Sequence, residues 1–349
     1  MIGILTYYHI SNYGANFQAF ALQYFILKTG REAAVIKYES HAITKRAIKR
    51  LFMKIRKENH ILLKGQILLN YIRSHSYFKR FRKKYIQFTR MNSDINKMIV
   101  GSDQVWNTEI NGGDAHYFGD FYKGKKYAYA ASFGYAKVPE QYVDVLKPLL
   151  EQFERIGVRE EEGVNILNEQ FGLSAEIVLD PIFLLTREEW KRVFKLHNIE
   201  KEKYLFIYII GNISCDVNNF IKNNYNDRLC INYNNCYIQD ELIKNKCCSE
   251  PDKWLAYIYY STINVTNSYH GVIFSILFNK KFVLYYTVKQ HFLCRLWGIF
   301  DLLEIEGDII DLNNEEKIFI PKLNYDLINK KILILKNKSE GYLNKILEE

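Results

Sequence analysis

One histidine of this chain lies in a polar turn between two apolar runs, where it could take part in chemistry. In the segment VTNSYHGVIFSILF, His270 directly precedes an apolar run that we predict to be a buried helix capped by Asn267 or Ser268. Helix N-termini bind anions, and histidine is the side chain that exchanges a proton near neutral pH. We therefore predict a general acid or base at His270, with Asn267 and Ser268 as binding residues. The alternative is a histidine satisfied inside a core turn.

Three further loops follow predicted strands, and ligands of open parallel sheets bind outside the carboxyl ends of strands. The loop HISNYGAN would form a cradle for an anion or a sugar hydroxyl, and GSDQVWN sets small, amide and acidic groups beside Trp106. Arg159 ends the strand IGV and would bind a carboxylate or phosphate bidentately, unless it forms a surface ion pair. The predicted binding residues of the first two loops are Asn12, Gly14, Asn16, Gly101, Ser102, Asp103, Gln104 and Asn107.

Strands and helices alternate along the chain, which indicates an α/β fold with parallel sheets. GILTYY, NFQAFALQYFILKTG and AAVIKY form a predicted βαβ unit, and a helix is expected from about Glu140 to Phe153. We predict two Rossmann-like domains that face a cleft, residues 1–181 and 182–349, the second ending in a helix. The chain contains no GxGxxG and no Walker A sequence, so the nucleotide sites built on those motifs are poorly supported.

Composition fits a folded protein large enough for two cores. Of the 349 residues 48% are apolar and 25% charged, and only five are proline. The start, MIGILTYYHISNYG, is expected to be a strand and not a signal peptide, and no run approaches the roughly 20 apolar residues of a membrane span. The six cysteines form no CxxC pair, which favours reduced thiols. We expect a cytoplasmic protein without a metal or cofactor.

Positive charge is concentrated in residues 41–90, a predicted insertion of basic helices. This segment carries 15 Lys and Arg against Glu58 alone, a net charge of +14, whereas the whole chain is +9 and the remainder is therefore −5. AIKRLFMKI and ILLKGQILLNYI have amphipathic helical spacing, which predicts helices laid on an anionic surface, unless the insertion is merely solvated. Since no nucleic-acid-binding motif accompanies the charge, anionic lipid at the inner face of the cell membrane, or a lipid-linked phosphate, fits better than nucleic acid.

The order of these motifs resembles the polysaccharide pyruvyl transferase family. The resemblance runs from GILTYYHISNYGANFQAFAL through IVGSDQVWN, YAASFG, GVREEEG and VLDPIFLL to VTNSYHGVIFSILFNKKF, most of residues 1–300. It implies a fold like the glycosyltransferase type B class. It also implies transfer of the enolpyruvyl group of phosphoenolpyruvate onto two hydroxyls of a sugar, as a cyclic ketal. By motif position, His270 is similar to the family's catalytic histidine, Arg159 to its arginine, and Lys289 to the lysine after its turn, here YYTVK.

Three stretches depart from the family's motifs. Ser268-Tyr269-His270 stands where characterised relatives have RLH, so an anion-binding arginine is lost at position 268. The stretch NYGA replaces NxGD, and the stretch GSD replaces a GGG loop. All three departures concern the donor and not the fold.

The donor that the resemblance implies carries a carboxylate and a phosphate, so its site needs cations and a proton donor for the methylene carbon. His270 would move the proton, while Arg159 and Lys289 would offset the negative charge. The acceptor would be a sugar of a polysaccharide or of its lipid-linked precursor. One alternative is a type B glycosyltransferase with a nucleotide-sugar donor, using His270 and a carboxylate such as Asp103 as base. Another is a non-catalytic scaffold that binds membranes through the basic helices alone.

Overall fold

The computed structural model describes residues 1–58, 60–91, 94–211, 214–225, 229–233, 243–246, 250–288 and 293–349. Within these residues the chain forms two seven-stranded sheets with helices packed around them. None of the described helices is long and apolar enough to cross a membrane. The predicted catalytic Lys289 lies outside the described residues.

The first sheet is entirely parallel and has the strand order β3-β2-β1-β4-β5-β6-β7. Its strands are β1 (Ile2–Leu5), β2 (Ala33–Ile36), β3 (Phe88–Thr89), β4 (Lys97–Val100), β5 (Lys125–Ala131), β6 (Phe153–Val158) and β7 (Glu176–Ile177). The helices between them are α1 (Tyr13–Lys28), α2 (His41–Lys57), α3 (Ile61–Tyr85), α4 (Thr108–Asn111), α5 (Glu140–Leu150) and α6 (Glu161–Phe171). The order reverses between β1 and β4, so the loops after these two strands open at the crevice where ligands of such sheets bind.

The second sheet has the order β10-β9-β8-β11-β12-β14-β13. Its strands are β8 (Tyr204–Tyr208), β9 (Leu229–Asn232), β10 (Ile243–Asn245), β11 (Ile263–Thr266), β12 (Lys281–Thr287), β13 (Gly307–Asp311) and β14 (Glu316–Pro321). Its helices are α7 (Arg187–Val193), α8 (Cys215–Tyr225), α9 (Pro251–Tyr260), α10 (Tyr269–Leu277), α11 (Leu293–Leu303) and α12 (Tyr325–Glu348). Here the order reverses between β8 and β11, which places the loop before α10 at the equivalent crevice.

The predicted alternation of strands and helices is confirmed, with three corrections. β14 pairs antiparallel with both β12 and β13, so the second sheet is mixed and not parallel throughout. The helix expected to reach Phe153 ends at Leu150, because Phe153 turns into the core as the first residue of β6. The insertion at residues 41–90 is helical only to Tyr85, and its end supplies the edge strand β3. The two basic helices are thus the crossover from β2 to β3.

A continuous apolar core joins the two sheets through α1. Phe17 packs edge-on against Trp190 of α7 and Phe274 of α10, with ring centroids 5.6 and 5.4 Å away. One turn earlier, Tyr13 stacks on Trp254 of α9 with centroids 4.7 Å apart and ring planes within 4°. Aromatic rings bury large areas and prefer defined geometries, so these contacts fix the relative position of the two crevices.

The terminal helix α12 returns to the first sheet. Tyr342 Oη donates to the Ala128 carbonyl in β5 at 2.9 Å, and Ser339 Oγ accepts from the Leu179 amide at 2.9 Å. Lys97 at the start of β4 donates to the Ile346 carbonyl at 2.8 Å. The second half of α12 therefore packs on strands of the first sheet, although it follows the second sheet in the chain. The domain ranges 1–181 and 182–349 stay a prediction.

α2 and α3 form a helical hairpin that projects from the body of the protein; we call residues 41–85 the basic hairpin. Its base is anchored by buried Ile43 at one end and by Phe78 and Phe81 at the other. None of the residues described between Thr44 and Tyr77 is buried. The hairpin therefore contributes little to the core that its base joins.

Candidate active site

His270 is the second residue of α10 and follows directly on the turn after β11. Ser268 Oγ accepts from the Gly271 amide at 3.3 Å, which confirms a capped helix start at this position. Asn267 instead holds the loop after β8, because its side chain accepts from the amide and donates to the carbonyl of Ile210, at 2.6 and 2.9 Å. All nine residues of α10 are buried, and His270 itself is 7% exposed. The imidazole is therefore held at a fixed helix start inside the protein.

A buried carboxylate, Asp180, lies beside the imidazole. Asp180 follows β7, and its Oδ1 accepts from the Ile182 amide at 3.0 Å, capping the short 3-10 helix Pro181–Leu184. Its Oδ2 lies 3.6 Å from His270 Nε2, close enough for a charge interaction. Burial by itself would raise the pKa of Asp180, but the neighbouring His270 and then Arg159 lower it to about 2. Asp180 is therefore an ionised partner for the imidazole.

Arg159 binds the same carboxylate from the other side. It follows β6, and its Nη1 donates to Asp180 Oδ2 at 2.8 Å. Nη2 lies 3.9 Å from Asp103 Oδ1, and Nε lies 3.6 Å from Glu160 Oε2. Burial disfavours the charge, yet Tyr269 and then the three carboxylates hold the pKa of Arg159 above its usual value. With a side chain only 1% exposed, Arg159 is not part of a surface ion pair.

The start of α1 meets the start of α10 at His270. Asn12 Oδ1 accepts from the Ala15 amide at 3.1 Å, so Asn12 caps α1. Gly14 then packs against the imidazole, and a Cβ at this position would lie 1.9 Å from His270 Nδ1. Asn16 ties the preceding loop down by donating to the carbonyls of Ile10 and Asn12, at 3.0 and 2.8 Å. Only glycine fits at position 14, so the backbone of α1 borders the Nδ1 side of the ring.

The loop after β4 is held by its neighbours on both sides. Gly101 has φ +110°, and a Cβ there would lie 2.5 Å from the Tyr129 carbonyl, so the position requires glycine. The Ser102 carbonyl accepts from Thr6 Oγ1 at 2.9 Å, which joins this loop to the one after β1. Asp103 is in the left-handed region at φ +70°, a conformation that Asp tolerates better than most residues. These contacts hold the Asp103 carboxylate near Arg159.

The structure brings four of the predicted site residues together, namely His270, Arg159, Asp103 and Gly14. Other predicted residues bond the backbone: Asn12, Asn107 and Ser268 cap helices, while Asn16 and Asn267 bind loop groups. Ser102 is fully buried, and Gln104 lies beside Gly134. Their part in binding a substrate stays a prediction. Among the residues described, no group of three His, Cys, Asp or Glu could hold a metal ion.

Sequence reasoning missed four residues of this cluster: Asp180, Glu160, Tyr269 and Arg295. Asp180 carries the same signal as the predicted loops, since it follows a strand of a parallel sheet. Tyr269 places its ring under two guanidinium groups, with Arg159 Cζ 4.4 Å and Arg295 Cζ 5.1 Å from its centroid. Arg295 gives no local signal, because its place beside Tyr269 depends on how α11 packs.

The fold has likenesses among solved structures. A presumed UDP-N-acetylglucosamine 2-epimerase from Listeria monocytogenes matches with a TM-score of 0.51 at 9% identity, over 96% of this chain and 87% of that one. UDP-GlcNAc 2-epimerase from Neisseria meningitidis, bound to UDP-GlcNAc, matches with a TM-score of 0.49 at 10% identity, over 100% and 99%. At such identities the likeness shows the fold alone. It confirms the two-domain arrangement similar to glycosyltransferases of type B.

A comparison with curated proteins finds no match. The family model for polysaccharide pyruvyl transferase matches residues 12–287, from the cap of α1 to the end of β12. The match includes the motifs on which the resemblance was based, apart from the first strand and the loop after it, and the whole cluster around Asp180 except Arg295. Because the model covers well over half of the chain, this protein belongs to the polysaccharide pyruvyl transferase family.

Proposed function

We propose that this protein transfers the enolpyruvyl group of phosphoenolpyruvate to a sugar, in a polysaccharide or on its lipid-linked precursor, and forms a pyruvate ketal. The observation that carries the proposal is the buried group of Asp180, Arg159 and His270 where the two crevices meet. An imidazole with a carboxylate at charge-interaction distance is a suitable group for moving a proton to or from a substrate. Arg159 adds a permanent positive charge for an anionic donor.

The reaction is a proton transfer followed by two attacks on one carbon. In our proposal His270 gives a proton to the methylene carbon, and the electrons of the double bond form the new C–H bond. A sugar hydroxyl attacks the resulting oxocarbenium-like carbon and loses its proton to the imidazole. Phosphate then leaves with its bonding electrons, and a second hydroxyl attacks the same carbon to close the ketal and gives its proton to the departing phosphate. Asp180 lies on the Nε2 side of the ring and Gly14 on the Nδ1 side, so both edges of the imidazole are held by neighbouring residues.

The test supplies phosphoenolpyruvate and a panel of sugar acceptors, and follows phosphate release together with the mass of a pyruvate ketal. We expect both products from the wild type, and a loss of about 10²–10⁴-fold in His270→Ala with an unchanged circular dichroism spectrum. His197→Ala, an exposed histidine, is the matched control and should retain full activity. Wild-type turnover in His270→Ala would remove His270 from the chemistry.

A nucleotide-sugar donor is the competing proposal, and ligand stabilisation separates the two. A ligand that binds only the folded state raises the melting temperature. We expect phosphoenolpyruvate to raise it and UDP- or ADP-sugars to leave it unchanged. The reverse result, with sugar transfer from the nucleotide, would favour a type B glycosyltransferase. Stabilisation by neither donor would favour the scaffold.

We also propose that the basic hairpin docks the enzyme on the anionic inner leaflet, near a lipid-linked acceptor. Its positive charge attracts acidic lipids, at about 1 kcal/mol for each basic residue near the surface. It also exposes large apolar side chains, among them Ile61 at 80% and Leu62 at 85%, which suit the interface between head groups and acyl chains. Such a surface is costly in water, and a bilayer would cover it.

Flotation with vesicles tests the docking. Arg82 is unsuitable for charge reversal because it is buried and donates to the Tyr8 carbonyl at 3.2 Å. The exposed residues Lys49, Lys54, Lys57 and Arg73 are suitable. We expect the wild type to bind anionic vesicles in a salt-sensitive manner and the fourfold Glu variant to stay in solution. If the wild type does not distinguish anionic from neutral vesicles at physiological salt, the docking proposal is wrong.

A further inference from the structure

A second arginine, Arg295, is buried beside the proposed catalytic group. It lies in the first turn of α11 and is 7% exposed. No hydrogen bond or ion pair joins its guanidinium to any residue in the part of the chain that the structure describes, and its Nε is fully buried. Burying a charge without a partner is costly, so such a group needs a reason to be there.

Arg295 and Arg159 lie over the same ring, that of Tyr269. Burial and then the positive charge of Arg159 lower the pKa of Arg295, while Glu160 and Asp103 oppose the change. Arg159 donates to Asp180 at 2.8 Å, but Arg295 has no comparable contact in the described residues. Two guanidinium groups that contact the same ring repel each other, and an anion bound near both would offset this repulsion.

The backbone at Tyr269 favours an anion as well. Tyr269 is the first residue of α10, and the first amides of a helix have no acceptor within the helix. Their dipoles and the two guanidinium groups thus favour negative charge at one place. A phosphate, with two charges and several acceptor oxygens, matches two guanidinium forks better than a single carboxylate does.

We propose that Arg295 is a donor-binding residue that holds the phosphate of phosphoenolpyruvate beside Tyr269, together with Arg159. It supplies from α11 the positive charge that Ser268 does not provide where relatives have arginine. The inference rests on the proposed function for the identity of the donor. It gives the leaving phosphate a cationic site while His270 acts at the methylene carbon.

The test compares Arg295→Met, which keeps an unbranched apolar stem and removes the charged guanidinium, with Arg295→Lys. For Arg295→Met we expect the KM for phosphoenolpyruvate to rise about 10- to 100-fold, the loss of one charge-assisted contact, with an unchanged KM for the acceptor. The KM of Arg295→Lys for phosphoenolpyruvate should fall between those of the wild type and Arg295→Met. Without ligand, Arg295→Met should melt at the same or a higher temperature, since it removes an unpaired buried charge. A clear fall in melting temperature together with an unchanged donor KM would indicate a structural role and overturn the inference.

Arg187→Met is the matched control. Arg187 also lies over a tyrosine ring, 4.9 Å from the centroid of Tyr259, and its Nε donates to Tyr259 Oη at 3.2 Å. It belongs to α7 and not to the site, so its loss should leave the donor KM unchanged. An equal rise in donor KM in both variants would mean that losing any arginine–tyrosine contact produces the effect, and would overturn the inference.

Inorganic phosphate separates this inference from the proposed donor. If the wild type consumes phosphoenolpyruvate and Arg295→Met keeps the wild-type KM, Arg295 is not in the site and the proposed function stands. A second outcome is that no turnover occurs, but phosphate raises the melting temperature of the wild type and not of Arg295→Met. In that case Arg295 belongs to an anion site, and the proposed donor is wrong. If neither phosphate nor phosphoenolpyruvate stabilises the wild type, both fail.

Discussion

At the scale of single residues, the site depends on one carboxylate that contacts groups from both halves of the chain. Asp180 accepts from Arg159 and faces His270, while its second oxygen caps the 3-10 helix that leads toward the second sheet. Burial disfavours the charged form of a carboxylate, and these three partners offset that cost for Asp180. The same contacts that orient the imidazole therefore also affect stability.

Acid should weaken the fold through Asp180. Its pKa is lowered from 3.8 to about 2 in the folded state. Since the folded value is the lower one, the ionised group stabilises the protein above about pH 4 and loses this contribution as the pH falls from 3.8 toward 2. The difference corresponds to about 2 kcal/mol in the free energy of unfolding. Denaturant unfolding between pH 7 and 2 should show this loss in the wild type and a flatter profile in Asp180→Asn. Identical profiles would contradict the assignment.

Gly14→Ala should displace the imidazole. The added Cβ would lie 1.9 Å from His270 Nδ1, so either the ring or α1 must move. A misplacement of about 1 Å can lower a rate by about 10²-fold, and we expect a loss of that order in kcat. Gly341→Ala is the control, because a Cβ added at this helical glycine would have open space within 4 Å and alanine should be tolerated. Full activity in Gly14→Ala would show that the ring is not held as described.

A site residue could be predicted from the sequence when its position relative to a strand or helix is visible in the local pattern. His270 and Arg159 each lie between the end of a strand and the body of a helix, so the sequence alone places them at a carboxyl edge. Asp180 has the same signal, but the predicted domain boundary lies beside it, at residue 181, and Asp180 is absent from the predicted site. Arg295 could not be predicted, because its place depends on how α11 packs against Tyr269. Contacts between separate elements are decided by packing and not by local pattern.

At the scale of elements, the basic hairpin is attached to the fold only at its base. Charge and amphipathic spacing predicted its two helices, but β3 was missed because a two-residue edge strand carries almost no periodic signal. The β13–β14 pair was also missed, although Asn313 marks its turn by accepting from the amides of Glu315 and Glu316. Short antiparallel strands depend on partners that a local pattern does not reveal.

Removing the outer part of the hairpin should leave the fold intact. We propose to replace residues 47–71 by a short Gly-Ser linker, since none of the described residues there is buried. The melting temperature and the activity toward a soluble acceptor should match the wild type, while binding to anionic vesicles should be lost. Circular dichroism checks that only the helical signal of the removed part disappears. A variant that fails to fold would show that the hairpin supports the core.

At the scale of the whole molecule, α12 joins the end of the chain to the first sheet. Tyr342 is buried, and its hydroxyl satisfies a β5 carbonyl. Tyr342→Phe should therefore lower the free energy of unfolding by about 1–3 kcal/mol, because the Ala128 carbonyl loses its side-chain donor. Ile334→Ala, on an exposed part of the same helix, should change it by less than about 0.5 kcal/mol. Denaturant unfolding measures both, and equal effects would contradict the described packing.

The stack of Tyr13 on Trp254 has an optical consequence. Tyr13 lies in α1 and Trp254 in α9, so a motion that moves these two helices apart would separate the rings. Indole emission depends on what surrounds the ring, and Trp254 is one of only four tryptophans in the chain. With Trp106, Trp190 and Trp297 replaced by phenylalanine, the remaining fluorescence would report a separation of α1 from α9 in solution. Trp254, which packs between these helices, would then serve as an intrinsic fluorescent probe of their separation.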